Sequence, residues 1–245
     1  MPDLPRGFLL PTRFTGTALG SPHAWSPVSA SEFVLAHTRL APVPFVPEVR
    51  LHLAQDAIDL WEHTESHTGE SQPPPFWAFA WAGGQAVARH ILDFPDIVRG
   101  KTVLDLASGS GLVAVAAALA GARHVIANDI DPYAVAAITL NAQANAVPGT
   151  VTSNGEDLLA GPASPDVDVL LAGDVFYSKE MSGRMLAFLE RAAASGTVVL
   201  AGDPGRAYLP HDRLTVVAGY DVPMVGALEN ADTKRATVLR PSSPV

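Results

Sequence analysis

The 245-residue chain has no cysteine. That single absence excludes disulfides, thiolate metal sites and a cysteine nucleophile. It also has no apolar run near the roughly 18 residues a membrane helix needs, although 48% of its residues are hydrophobic. No basic segment followed by a long apolar core opens the chain. Phe8-Leu9-Leu10 is too short for a secretory leader, and Arg6 and Arg13, set among prolines, are too few for a transit peptide. Positive charge is scarce, with 16 Lys and Arg against 25 Asp and Glu, a net charge of −9. Such a surface binds nucleic acid poorly and suits a basic protein or a small molecule, though it also serves solubility alone.

Periodicity is missing at the start as well. Prolines at 2, 5, 11, 22 and 27 break residues 1–32 into an irregular extension. Residues 33–75 read as a lead-in packed on the main domain, which occupies 76–245. Within the lead-in, the stretch from Glu32 to Val49 alternates apolar and polar residues and suggests a short strand and an extended crossing. The spacing of Val49, Leu53, Ala57 and Leu60 predicts a helix from Val49 to Trp61. His63 and His67 lie four apart beside Glu62 and Glu65, but no third ligand is visible, so a solvated polar face is expected and no metal.

Aromatics are few overall, yet Phe76, Trp77, Phe79 and Trp81 fall within six residues, just before Gly83-Gly84. Adjacent glycines admit a close backbone approach, and a helix from Gln85 to Leu92 would present its N-terminal amides there. A hydrophobic lid is the plainer reading of the aromatics. The centre of the chain is Thr102 to Asp105, a strand, then Ser108-Gly109-Ser110-Gly111 and an apolar helix to Ala120 with Gly121 as its stop. Further strands are predicted at 124–128, about 150–153, 167–172, 197–201, 214–220 and 236–240. Helices are predicted from Pro132, capped by Asp131, to Asn145 and from Glu180 to Ala194. The order implies an α/β fold with a doubly wound, seven-stranded, mostly parallel sheet.

Gly109-Ser110-Gly111-Leu112-Val113-Ala114 satisfies G-x-G-x-x-G/A, with Asp129 20 residues on. That alone would suit a dinucleotide. Asp105, at the mouth of the turn, opposes a pyrophosphate but can receive a cationic amino-acid end, as in S-adenosylmethionine. Asp129 can take ribose hydroxyls, Asp157 can meet an adenine amino group, and Asp174 to Tyr177 form a polar-aromatic cluster after the fourth strand. No Tyr-x-x-x-Lys or histidine-based hydride-transfer set follows the turn.

Together, Pro75-Phe76-Trp77-Ala78, Trp81-Ala82-Gly83-Gly84-Gln85-Ala86, Asn128-Asp129-Ile130-Asp131-Pro132, Gly173-Asp174-Val175-Phe176-Tyr177 and Gly202-Asp203-Pro204-Gly205-Arg206 resemble the electron transfer flavoprotein β-subunit lysine methyltransferases, within the seven-strand, S-adenosylmethionine-dependent class. Ala107 stands where many of that class have glycine. The resemblance implies a protein-lysine N-methyltransferase that uses S-adenosyl-L-methionine, releases S-adenosyl-L-homocysteine and acts on the electron transfer flavoprotein β subunit. It implies that Asp105, Ser108, Gly109 and Gly111 hold the methionine end and backbone of the cofactor, Asp129 the ribose, and Ile130 and Asp157 the adenine. Trp81 and Gly84 would close over the methionine side. Asp174, also touching the cofactor, and Tyr177 would be catalytic, with Phe76, Trp77 and Phe176 lining the substrate side. A bacterial cytoplasm, or a mitochondrial matrix in a eukaryote, is the expected compartment; charge and hydropathy predict no nucleic acid or membrane partner, and the sequence leaves the number of subunits open, with a monomer the favoured state. Plainer readings stand beside these: Asp105 as a turn cap, Asp129 as a second cap beside Asp131, Tyr177 as packing, and Asp203 with Arg206 as a local salt bridge. Another target, such as a ribosomal protein or a small amine or pyridine nitrogen, keeps the same fold. A non-catalytic binding protein is a further alternative.

Overall fold

The structure is a computed structural model; it describes residues 29–161, 166–223 and 233–242. Residues 1–28, and so nearly all of the expected irregular extension, lie outside the described residues.

The elements in chain order are α1 (Ala30–His37), β1 (Arg39–Val43), β2 (Val46–Leu53), α2 (Ala57–Thr68), α3 (Ala82–Asp93), β3 (Thr102–Leu106), α4 (Leu112–Leu119), β4 (His124–Asn128), α5 (Pro132–Ala144), β5 (Val151–Asn154), β6 (Val169–Gly173), α6 (Lys179–Ala194), β7 (Val198–Asp203), β8 (Leu214–Pro223) and β9 (Thr233–Pro241). Seven strands form one sheet in the order β5-β4-β3-β6-β7-β9-β8. The five from β5 to β7 are parallel, while β9 runs antiparallel to both β7 and β8. This is the doubly wound, mostly parallel sheet expected. Among the described residues the β5–β6 crossover carries no helix.

Strand alternation divides the core between the two faces of the sheet. Val103, Val125, Val169 and Leu171 belong to one cluster with Ala86, Val87 and Ile91 of α3 and most of α4. Leu104, Leu106, Leu170 and Ala172 belong to another with Met185, Phe188 and Leu189 of α6. Covered on both faces, β3 reads as a continuous apolar run interrupted only by Asp105.

The lead-in departs from the sequence reading. Val49 and Leu51 are fully buried on alternate positions of β2, which pairs antiparallel with β1. The expected Val49–Trp61 helix is therefore a strand as far as Leu53, and α2 starts only after Asp56, whose carboxylate caps Ile58 and Asp59. A four-residue spacing also satisfies a period of two, which is why Val49 and Leu53 misled. The stretch from Glu32 likewise begins as helix α1, closed by a capping box between Ser29 and Glu32. The β1–β2 hairpin is tied to α5: Asn141 Oδ1 accepts from the His52 amide, and Asn145 bonds both the N–H and the C=O of Arg50. No helix among the described residues is long and apolar enough to cross a membrane.

Candidate active site

The carboxyl ends of the parallel strands meet in one cavity of about 320 Å³, at the low end of the range for small-molecule sites. Its walls include Phe76, Trp77, Trp81, Gly84, Asp105, Ser108, Gly109, Asp129, Ile130, Asp157, Asp174, Tyr177 and Arg206. Gly111 stands beside this lining as the left-handed residue that begins α4, at φ 80°, with Ile138 packed against it.

Asp105 projects from β3 and is 1% exposed. Its Oδ2 accepts from the Ser108 hydroxyl and from the Ala114 amide at 3.0 Å. Its Oδ1 is buried and has no hydrogen-bond partner. Burial pushes the carboxyl up to about 7 despite those two donors. Asp129 follows β4. Its Oδ2 accepts the Gly109 amide at 2.9 Å and its Oδ1 the Asp131 amide at 3.0 Å, so it braces the glycine turn and starts the capped α5. Burial raises its pKa, with those amides opposing the rise. Ile130 is 64% exposed at the cavity wall. Asp157 pairs with Arg184 of α6 at 3.0 Å and accepts the Leu159 amide.

The aromatic stretch forms the rim. Phe76 and Tyr177 are both about two-fifths exposed, with ring centroids 5.4 Å apart. Trp81 donates its indole N–H to the Phe76 carbonyl at 2.8 Å. Trp77 turns inward and stacks on Tyr133 of α5. Burial and the nearby charge of Asp129 raise the pKa of Tyr177. Phe176 is fully buried beneath α6 with Met185 and Phe188, and it is not among the cavity walls. Val175 and Phe176 both turn into the protein as the chain leaves β6, and only Tyr177 turns out. Burying such a ring is worth about 2 kcal/mol, which explains why it anchors the core instead of lining a substrate channel.

The two glycines lie inside the first turn of α3, not ahead of it. A methyl at Gly83 would meet the Gly202 carbonyl at 2.5 Å, and one at Gly173 would meet the Gly84 Cα at 2.7 Å. The close approach is therefore backbone to backbone, α3 against the ends of β6 and β7. The helix amide meets a carboxylate of the chain itself, Gly83 N–H donating to Asp174 Oδ2 at 3.0 Å. Arg206 donates from Nε to the other oxygen of Asp174 at 2.7 Å. Asp203 folds the loop by accepting the Gly205 and Arg206 amides. The Asp203–Arg206 stretch, read in sequence as a local salt bridge, thus delivers Arg206 to the centre of the site.

Sequence reasoning also missed Asn128 and Asn141. Asn128, 3% exposed, donates to Asn154 and Glu156 and joins the ends of β4 and β5. Asn141, fully buried, donates to the Ser110 carbonyl at 2.7 Å. A buried amide on an apolar helix was the available signal. His63 and His67 lie against His37 and Phe33, respectively, with ring centroids 4.7 and 5.1 Å apart. Among the described residues no group of three or more acids or histidines could hold a metal ion.

Residues 92–173 match the family model described as ribosomal protein L11 methyltransferase (PrmA). The electron transfer flavoprotein beta subunit lysine methyltransferase of Xenopus laevis is 40% identical over 189 residues, 76% of this chain and 74% of the frog protein. The Rattus norvegicus protein of the same name is 38% identical over 65% of this chain, which spans only 62% of the rat protein. The ribosomal protein L11 methyltransferase of Psychrobacter arcticus is 34% identical over 49% of this chain and 40% of its own length. The crystal structure of a proposed RNA methyltransferase from Pyrococcus horikoshii superposes with a TM-score of 0.51 at 19% identity, covering 71% of this chain and 92% of that one. That likeness concerns the fold alone.

Proposed function

The chain belongs to the electron transfer flavoprotein β-subunit lysine methyltransferase family, and from that premise we propose that it methylates lysine side chains of the electron transfer flavoprotein β subunit with S-adenosylmethionine. The observation that carries this reading is the 40% identity to the frog protein across 74% of that protein's length.

The residues present fit the cofactor. The unpartnered Oδ1 of Asp105 is a buried acceptor in the cavity wall, suited to the ammonium of an amino-acid end. Ser108, Gly109 and Gly111 would shape the turn beneath that end, Asp129 would hold the ribose, and Ile130 and Asp157 the adenine. Trp81 and Gly84 would border the methionine side. When bound, the cofactor supplies a methyl group activated by a sulfonium, and S-adenosylhomocysteine is the product.

The chain's own task is to bring in a lysine and present its lone pair. An unperturbed lysine has a pKa of about 10.4, so only about one in a thousand is neutral near pH 7. The partly exposed Phe76 and Tyr177 offer aromatic faces that guide the ammonium inward and then strip its water. A ribosomal-protein target is the second reading, favoured by the family model over 92–173.

The test is transfer of radiolabelled methyl groups from S-adenosylmethionine into a lysate of the source organism, followed by mass spectrometry. Label on lysines of the flavoprotein β subunit is expected. Label confined to ribosomal protein or to a small molecule would replace the reading with the corresponding alternative.

A further inference from the structure

The resemblance makes Asp174 catalytic, yet its carboxylate is already engaged. Arg206 Nε donates to Oδ1 at 2.7 Å and the Gly83 amide to Oδ2 at 3.0 Å. The Asp174 side chain is 3% exposed, whereas Arg206 is 25% exposed and lines the cavity. The guanidinium carbon stands 5.6 Å from the centroid of the Trp81 ring. Trp81 is itself tied to Phe76, and Phe76 lies against Tyr177. Asp174 also holds a left-handed backbone, φ 64°, that a non-glycine residue adopts only when its surroundings enforce it.

This arrangement argues against a free carboxylate waiting for an ammonium ion. A bare carboxylate beside the lysine would favour the charged, unreactive form. A carboxylate already paired with a guanidinium and a helix amide does so far less. We propose that Arg206 is a positioning residue: by occupying Asp174, it keeps that carboxylate from trapping the lysine as an ammonium ion and lets the lysine reach the transfer position as the free amine. The proposal rests on the lysine-methylation reading and deepens it.

The charged and titratable groups around Asp174 come from three directions. Asp203 ends β7 and Arg206 lies on the loop that follows, and Asp203 feels the charges of both Asp174 and Arg206. Tyr177 lies three residues on, under the influence of Asp129. From α3 the contact is the uncharged Gly83 amide. Arg206 is thus the cation that the geometry sets against these acids.

The experiment is the pH profile of kcat and KM on the acceptor protein for wild type, Arg206→Met, Arg206→Lys, Asp174→Asn and the double variant Asp174→Asn/Arg206→Met. Calorimetry of cofactor binding checks that each site is intact. Arg206→Met should leave KM unchanged or lower and reduce kcat about tenfold near pH 7.5, with the acid limb of kcat moved up by about one pH unit. Arg206→Lys should keep the wild-type limb. The double variant should return to it, because the carboxylate that Arg206 occupied is gone. An acid limb in Arg206→Met equal to that of wild type, or one in the double variant equal to that of Arg206→Met, overturns the proposal. If Arg206→Met loses the cofactor, Asp174→Asn decides alone: a limb at or below wild type supports the proposal, and one moved up refutes it. A wild-type protein that methylates no lysine would refute the functional reading instead, before any variant is compared.

Discussion

Asp105 links the pH of the solution to the state of the site. Its pKa in the folded chain, about 7, lies above its ordinary value of 3.8 because of burial. The folded chain therefore holds a proton that the unfolded chain releases, and this residue's effect on stability worsens as pH climbs from about 4 to about 7. The melting temperature of the cofactor-free protein should fall across that window less steeply in Asp105→Asn than in wild type. Cofactor affinity should move the other way, since the ammonium end needs the ionised carboxylate. Calorimetry should show Kd tightening by close to tenfold per pH unit below about 7, then levelling, with Asp105→Asn weak and nearly flat. Ala107, one turn position on, sits at φ 53°, where an alanine costs about 1–2 kcal/mol. Ala107→Gly relieves that cost at the expense of chain entropy, so urea unfolding should show a gain of about 0.5–1 kcal/mol. The residue that stands where many of the resembling class have glycine thus sits at the strained position of the turn.

At the scale of elements, the site depends on α3 lying directly on the ends of β6 and β7. The Cβ of an alanine at Gly202 would fall on the Gly83 carbonyl and crowd Val87. Overpacking of backbone by backbone has no flexible neighbour to absorb it. Gly202→Ala should therefore cost about 3 kcal/mol of stability and weaken cofactor binding, measured by denaturant unfolding and calorimetry. A variant as stable as wild type would show that α3 can slide. Asn141 plays the matching part on the other side. Asn141→Leu strands the Ser110 carbonyl and the His52 amide, and it should cost about 2–5 kcal/mol in urea unfolding. The elements of the sheet were legible in the sequence to within a few residues because Val103-Leu104-Asp105-Leu106 and its neighbours combine apolar runs with Gly and Asp punctuation. The Gly83-Gly84 pair was legible as a close approach but not as an approach to backbone, since a glycine says only that something is near. Val49 to Leu53 was misread because its spacing fits both periods and only pairing with β1 decides between them.

At the scale of the molecule, the order β5-β4-β3-β6-β7-β9-β8 brings Asp105, Asp129 and Asp174, far apart in sequence, to one edge of the sheet. Which residues would crowd that edge could be read from strand ends alone. How they pair could not, because Arg206 reaches Asp174 across 32 positions and Arg184 reaches Asp157 across 27. Long-range ion pairs leave no local pattern, and Phe176 and Trp77 show the same limit for aromatics, whose facing is set by packing. The central claim, lysine methylation of the flavoprotein β subunit at this edge, is tested most directly with two purified proteins. The enzyme, S-adenosylmethionine and the electron transfer flavoprotein β subunit of the same organism are incubated, and the product is mapped by peptide mass spectrometry. The account predicts methyl groups on specific lysines of the β subunit, formed by wild type and lost in Asp105→Asn at sub-saturating cofactor. An unmodified β subunit, with cofactor bound normally by the enzyme, would contradict it.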